Sequence, residues 1–140
     1  MKRLALICLL LISSLCLSKL EAQSAFPSND GECFKYNAYI EMPRAYISGI
    51  SMLLKEEGVI KGCIFNEFGI TALDFTYNPQ RQKVKLYHII EIMDKWYIRR
   101  VIRKDIAKLM LCLQKGETQY LNERHQIKYQ FLPIEDEVIE

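Results

Sequence analysis

Past residue 22, few side chains of this chain are equipped for chemistry: His88, His125 and the cysteines Cys33, Cys63 and Cys112. Catalysis needs a nucleophile beside a base and an orienting group, or a set of metal ligands. Each histidine falls in a segment that alternates like a strand, with no companion motif. There is no G-x-S-x-G elbow, no H-E-x-x-H helix and no glycine loop of the kind that cradles phosphate. The cysteines show neither C-x-x-C spacing nor a Cys/His set suited to zinc. Asp74 and Glu67 could meet across a hairpin, but acidic residues near turns are common. The residues therefore describe a non-enzyme with no catalytic set, no metal site and no cofactor.

Two features remain that could bind rather than react. Arg99, Arg100, Arg103, Lys104 and Lys108 fall on one side of a helical pattern. They could meet an anionic membrane surface or an acidic partner. The simpler reading, a solvated face partly paired with Asp94 and Asp105, is favoured. The second feature is a heavy aromatic load on the strand-like segments, including Phe65, Phe75, Tyr77, Tyr129 and Phe131. Such a lining can close into a dry core or hold an apolar cavity.

These residues must be positioned by the elements that the pattern predicts. Residues 34–41 form a strand or the end of a short helix, and Pro43 breaks the chain before residues 45–55 resume. A turn at residues 56–58 leads to a hairpin of residues 59–66 and 70–77, with Leu73, Phe75 and Tyr77 on one face. Asn78 and Pro79 open the next turn, and residues 83–90 complete an antiparallel meander. The period then lengthens. Ile98, Ile102, Ile106, Leu109, Met110 and Leu113 mark one side of a helix that Asp94 should cap and Gly116 should stop. Residues 118–132 return to alternation before Pro133. Segregated elements of this order predict an α+β fold, a curved antiparallel sheet covered by an amphipathic helix.

The amino terminus carries a different message. Lys2 and Arg3 precede an apolar run over residues 4–17, and Ala22 offers a small residue at a cut site. This is the pattern of a signal peptide, residues 1–22, and it predicts export to the periplasm or an outer-membrane-associated site. Cys16 would be the lipidation point of a lipoprotein, but the bulky Leu15 before it argues against that. Residues 23–33 read as a loose leader, residues 34–133 as one domain and residues 134–140 as an acidic tail. Without residues 1–22, basic and acidic side chains balance, which argues against nucleic acid as a partner. Cys33, Cys63 and Cys112 allow one bridge with a thiol left over, or three small apolar fillers. No feature of the pattern sets an oligomeric state.

The stretch from Gly62 to Tyr77 resembles the central hairpin of bacterial lipoprotein-localisation proteins, the LolA/LolB-like group, including small exported relatives. The likeness extends over about residues 45–113, the helix included. It implies a lipid or acyl chain held in an apolar concavity, and it maps that cavity onto Phe65, Leu73, Phe75 and Tyr77. The expectation is thus a non-enzymatic envelope protein that binds lipid. The alternative is a structural or protein-interaction module of the envelope with an ordinary dry core.

Overall fold

The computed structural model describes residues 25–135, and the expected signal segment lies outside the described residues. Seven strands are formed: β1 (Cys33–Glu41), β2 (Tyr46–Glu56), β3 (Val59–Phe65), β4 (Thr71–Asn78), β5 (Lys83–Ile89), β6 (Gln119–Asn122) and β7 (Ile127–Pro133). A short 3-10 turn (Glu91–Met93) and one helix, α1 (Trp96–Gln114), lie between β5 and β6. Every pairing is antiparallel, in the order β5-β4-β3-β2-β1-β7-β6. The sheet curls into a half-barrel, so the fold is α+β with a curved sheet.

The register shows how the alternation builds a core. Tyr36, Ser51, Ile64, Leu73 and Ile89 are successive cross-strand partners on five strands. All five are buried, so one face of the sheet points inward across these five strands. The turn between β2 and β3 holds the second of these registers, Ser51 with Ile64. Glu57 and Gly58 both take positive φ, 51° and 77°, the signature of a type I′ hairpin whose twist matches its strands.

Helix α1 links the two edges of the sheet, since it leaves β5 and delivers the chain to β6, and it packs on both. Both exposed rows of edge hydrogen-bonding groups are thereby flanked. Its Ile102, Ile106, Leu109, Met110 and Leu113 are buried, as the period predicted, while Ile98 is half-buried. Gly116 ends the helix at φ 87°. Its N–H donates to the Leu113 carbonyl at 3.1 Å and that of Glu117 to Cys112 at 2.9 Å, the paired bonds of a Schellman stop.

The start of the helix differs from expectation. Asp94 is not its cap; Lys95 holds that position, with no side-chain cap bond. Asp94 closes the 3-10 turn, its N–H donating to the Glu91 carbonyl at 3.1 Å. The Asp94 carboxylate instead accepts from Arg99 at 2.7 Å. Residues 25–32 also differ from the loose leader expected. Phe26 is buried in the core, the Gly31 N–H donates to the Lys55 carbonyl at 2.7 Å, and the Tyr36 hydroxyl donates to the Ala25 carbonyl. Among the described residues, every core residue falls between Phe26 and Phe131.

One glycine is dictated by packing. The outer end of the Phe75 ring lies against Gly62 on the neighbouring strand, where a Cβ would occupy the same space as the ring. Phe75 is fully buried and cannot swing aside. Gly62→Ala is therefore expected to cost about 2 kcal/mol through overpacking, and adding Phe75→Leu should return part of it. Urea melts of the three variants check this; an undisturbed Gly62→Ala midpoint would show that the ring does not sit there.

Candidate functional site

The residues assigned to an acyl cavity do not share an opening. Leu73, Phe75 and Tyr77 are each fully buried, in one contiguous cluster with Ile102, Ile106 and Leu109 of the helix. Phe65 lies on the other face of the sheet: Ile60, Gly62 and Ile64 alternate inward on β3, which turns Val59, Lys61, Cys63 and Phe65 outward. The β4 side slips by one residue at that level, since Ile64 pairs with Leu73 but Phe65 with Thr71.

Of the reactive candidates, Cys63, Asp74 and His88 are cross-strand neighbours on β3, β4 and β5, and the others lie apart from them. His88 is on β5, its Nε2 3.0 Å from the Thr71 carbonyl. His125 lies in the β6–β7 turn rather than on a strand. Glu67 lies in the β3–β4 turn and Asp74 on β4, opposite Cys63 and His88. Cys33, Cys63 and Cys112 are all free thiols; burial pushes the thiols of Cys63 and Cys112 up, away from thiolate. Among the described residues no group of three or more metal-ligating side chains occurs.

Chemistry does converge where the helix faces the β6–β7 hairpin. A cleft of about 580 Å³ opens there. Arg100, Lys104 and Lys108 stand on the helix wall, each four residues from the next and so about 6 Å apart along the axis. Tyr120, Asn122, Arg124 and His125 form the facing wall, and Trp96 and Tyr97 lie at the helix start. Lys108 Nζ is 5.8 Å from the Tyr120 ring centroid, a cation–π contact. Trp96 and Tyr97 meet edge to face at 5.8 Å.

One carboxylate reaches this cleft, and it is pinned. Asp105 is only 2% exposed. Asn122 Nδ2 donates to its Oδ1 at 3.0 Å and its Oδ2 at 2.9 Å, and the Tyr129 hydroxyl donates to Oδ2 at 2.7 Å. Asn122 Oδ1 in turn accepts the His125 backbone N–H at 3.1 Å, so the same amide fixes the turn that carries Arg124. Sequence reasoning placed Asp105 on the solvated face as an ion-pair partner. The missed signal was its spacing, three residues after Ile102 and four before Leu109, which puts it on the apolar stripe.

A second surface feature is the rim at one end of the half-barrel. The β1–β2, β3–β4 and β6–β7 turns and the β5–α1 connection share this end, as the strand registers require. Tyr46, Phe68, Ile70, Ile92, Trp96 and Tyr97 are all exposed there, Phe68 at 79% and Trp96 at 75%. Among the described residues, the loops of the opposite rim expose no large apolar side chain.

Comparison with protein-family models, with curated proteins and with solved structures yields no match.

Proposed function

We propose that the chain is an exported, non-enzymatic interaction module of the cell envelope, built on a dry core. The observation that carries this reading is the filled concave face. Leu73, Phe75 and Tyr77 are fully buried beneath helix residues that are themselves fully buried. An acyl chain beside them would first have to displace α1 and forfeit that burial, at about 25 cal/mol per Å² of apolar surface re-exposed. The chemistry left for a partner is then on the surface, in the basic cleft and on the apolar rim. Export rests on the pattern of residues 1–22.

A lipid-carrying role, as the resemblance to lipoprotein-localisation proteins implies, keeps one observation in its favour. Six large apolar side chains gathered on one rim are the kind of patch that marks a lipid or protein contact. Solvent extraction of purified residues 23–140, followed by mass spectrometry, separates the two. The expected result is no acyl lipid in stoichiometric amount. A lipid recovered at one per chain, and still recovered from Lys104→Glu, would overturn the dry-core reading.

A further inference from the structure

We propose that the cleft between α1 and the β6–β7 hairpin binds a phosphate-bearing anion, held by Arg100, Lys104 and Arg124 with an apolar or ring-shaped flank against Trp96. The inference rests on reading the chain as a binding module and names the ligand class of its cleft.

Charge is the first argument. The walls carry four fixed cations, Arg100, Lys104, Lys108 and Arg124, against the single carboxylate of Asp105. Among the described residues the ion pairs are Lys61–Glu56 and Arg99–Asp94, so none of the four cleft cations is neutralised by a carboxylate within 4 Å. Like charges four apart on a helix repel each other, and here three stand in a row. An ordinary solvated face relieves that repulsion with interleaved acids; this one does not. An anion of more than one charge removes it.

Geometry selects phosphate among anions. The cations approach from two walls, and a phosphate presents acceptor oxygens in several directions, whereas a carboxylate presents a planar pair. Two guanidinium groups, one on each wall, can each grip two such oxygens. Asp105, the one group that would repel the ligand, is turned to Asn122 and Tyr129, which take up both of its oxygens. Trp96 adds a broad, exposed apolar surface at the helix end of the cleft. The volume of about 580 Å³ suits a headgroup or a phosphorylated small molecule rather than a bare ion.

Phosphate of this kind could be free or could sit on a lipid headgroup, and one reporter reads both. Trp96 is the sole tryptophan of the chain, so its emission follows the cleft directly. Residues 23–140 are titrated with pyrophosphate, and separately with vesicles of phosphatidylcholine alone or mixed with phosphatidylglycerol, the vesicle samples also being sedimented. The expected result is a saturable change in Trp96 emission that weakens with added salt. It should weaken at least about tenfold in Lys104→Glu and be unchanged in Lys35→Glu, an exposed control on β1. Far-UV circular dichroism verifies that both variants fold. Response to pyrophosphate assigns a free phosphate ligand; response only to phosphatidylglycerol vesicles, with co-sedimentation, assigns a headgroup. No response to either, or equal loss in Lys35→Glu, overturns the proposal. In that case a clean lipid extraction still leaves the interaction-module reading standing.

Discussion

Asp105→Ala is expected to cost about 3 kcal/mol of folding stability, roughly 10–15 °C in Tm for a domain of this size. The side chain stands on the apolar stripe of α1, where an unpaired carboxylate would be prohibitive. It is tolerated because Asn122 and Tyr129 donate three bonds to it, at 3.0, 2.9 and 2.7 Å. Truncation strands the Tyr129 hydroxyl, whose ring has no exposure through which it could reach water, while the Asn122 amide lies on the cleft wall. A buried donor left without an acceptor costs about 1–3 kcal/mol. Tyr129→Phe removes only one of the three bonds and should cost about 1.5 kcal/mol. The double variant should be less damaging than the two singles added together, because the residues share the lost bond. Tyr77→Phe is the control: that hydroxyl is buried with no hydrogen-bond partner, so its removal should change stability by less than about 1 kcal/mol. Equilibrium urea unfolding measures all four. An Asp105→Ala midpoint equal to wild type would mean that the buried trio does not form. The same variant also bears on the cleft, since Asn122 holds the His125 backbone and thereby the turn bearing Arg124. Loss of Asp105 should loosen that wall even where the helix survives.

Most of the architecture was legible because the sequence alternates cleanly. Leu73, Phe75 and Tyr77 point one way on β4, and the 3.6-residue period of α1 selects its buried apolar residues from Ile102 to Leu113. What periodicity cannot supply is the destination of a side chain once strands curl. The aromatic load illustrates this. Phe75, Tyr77, Tyr129 and Phe131 enter the core, whereas Tyr46, Phe68, Tyr87 and Trp96 stay exposed. Composition alone treats both groups as one lining. Phe65 was grouped with the core set although it is an odd number of residues from Ile64, Gly62 and Ile60, a parity visible in the chain. The cleft was half legible: its helix wall lay in the basic run. Its facing wall, Arg124 and His125, is brought there only by the crossover of α1 from β5 to β6. No local pattern records that closure, because the pairing of β7 with β1 joins opposite ends of the chain. The pinned carboxylate of Asp105 was hidden by residue type, since a charged side chain is assigned to solvent unless its partners are known.

Raising the pH above 10 is expected to destabilise this protein, and the buried tyrosines set the slope. Burial pushes the phenols of Tyr36 and Tyr129 well above the ordinary tyrosine value; for Tyr129 the negative charge of Asp105 adds to the effect, and for Tyr36 the nearby Cys33 does. Burial raises Tyr77 as well. A raised folded-state value means that the native chain keeps its proton where the unfolded chain, near pH 10, has begun to lose it. The contribution is therefore intact below about pH 10 and declines as pH rises further. Each phenol removes about 1.4 kcal/mol per pH unit once the unfolded group is fully ionised. Tyr36 and Tyr129 together then withdraw roughly 4 kcal/mol by about pH 11.5, a large share of the 5–15 kcal/mol typical of a domain. Urea midpoints at pH 8, 10 and 11.5, with tyrosinate absorbance followed in parallel, should show the loss of stability arriving with the last phenols to ionise, those of the buried tyrosines. Tyr129→Phe should lower the midpoint at pH 8, through the bond it breaks, yet flatten the alkaline slope by about half. Phenols that ionise gradually near pH 10 while the urea midpoint holds steady would show that Tyr36 and Tyr129 are solvated, and would remove the physical basis for the pinned Asp105 as well.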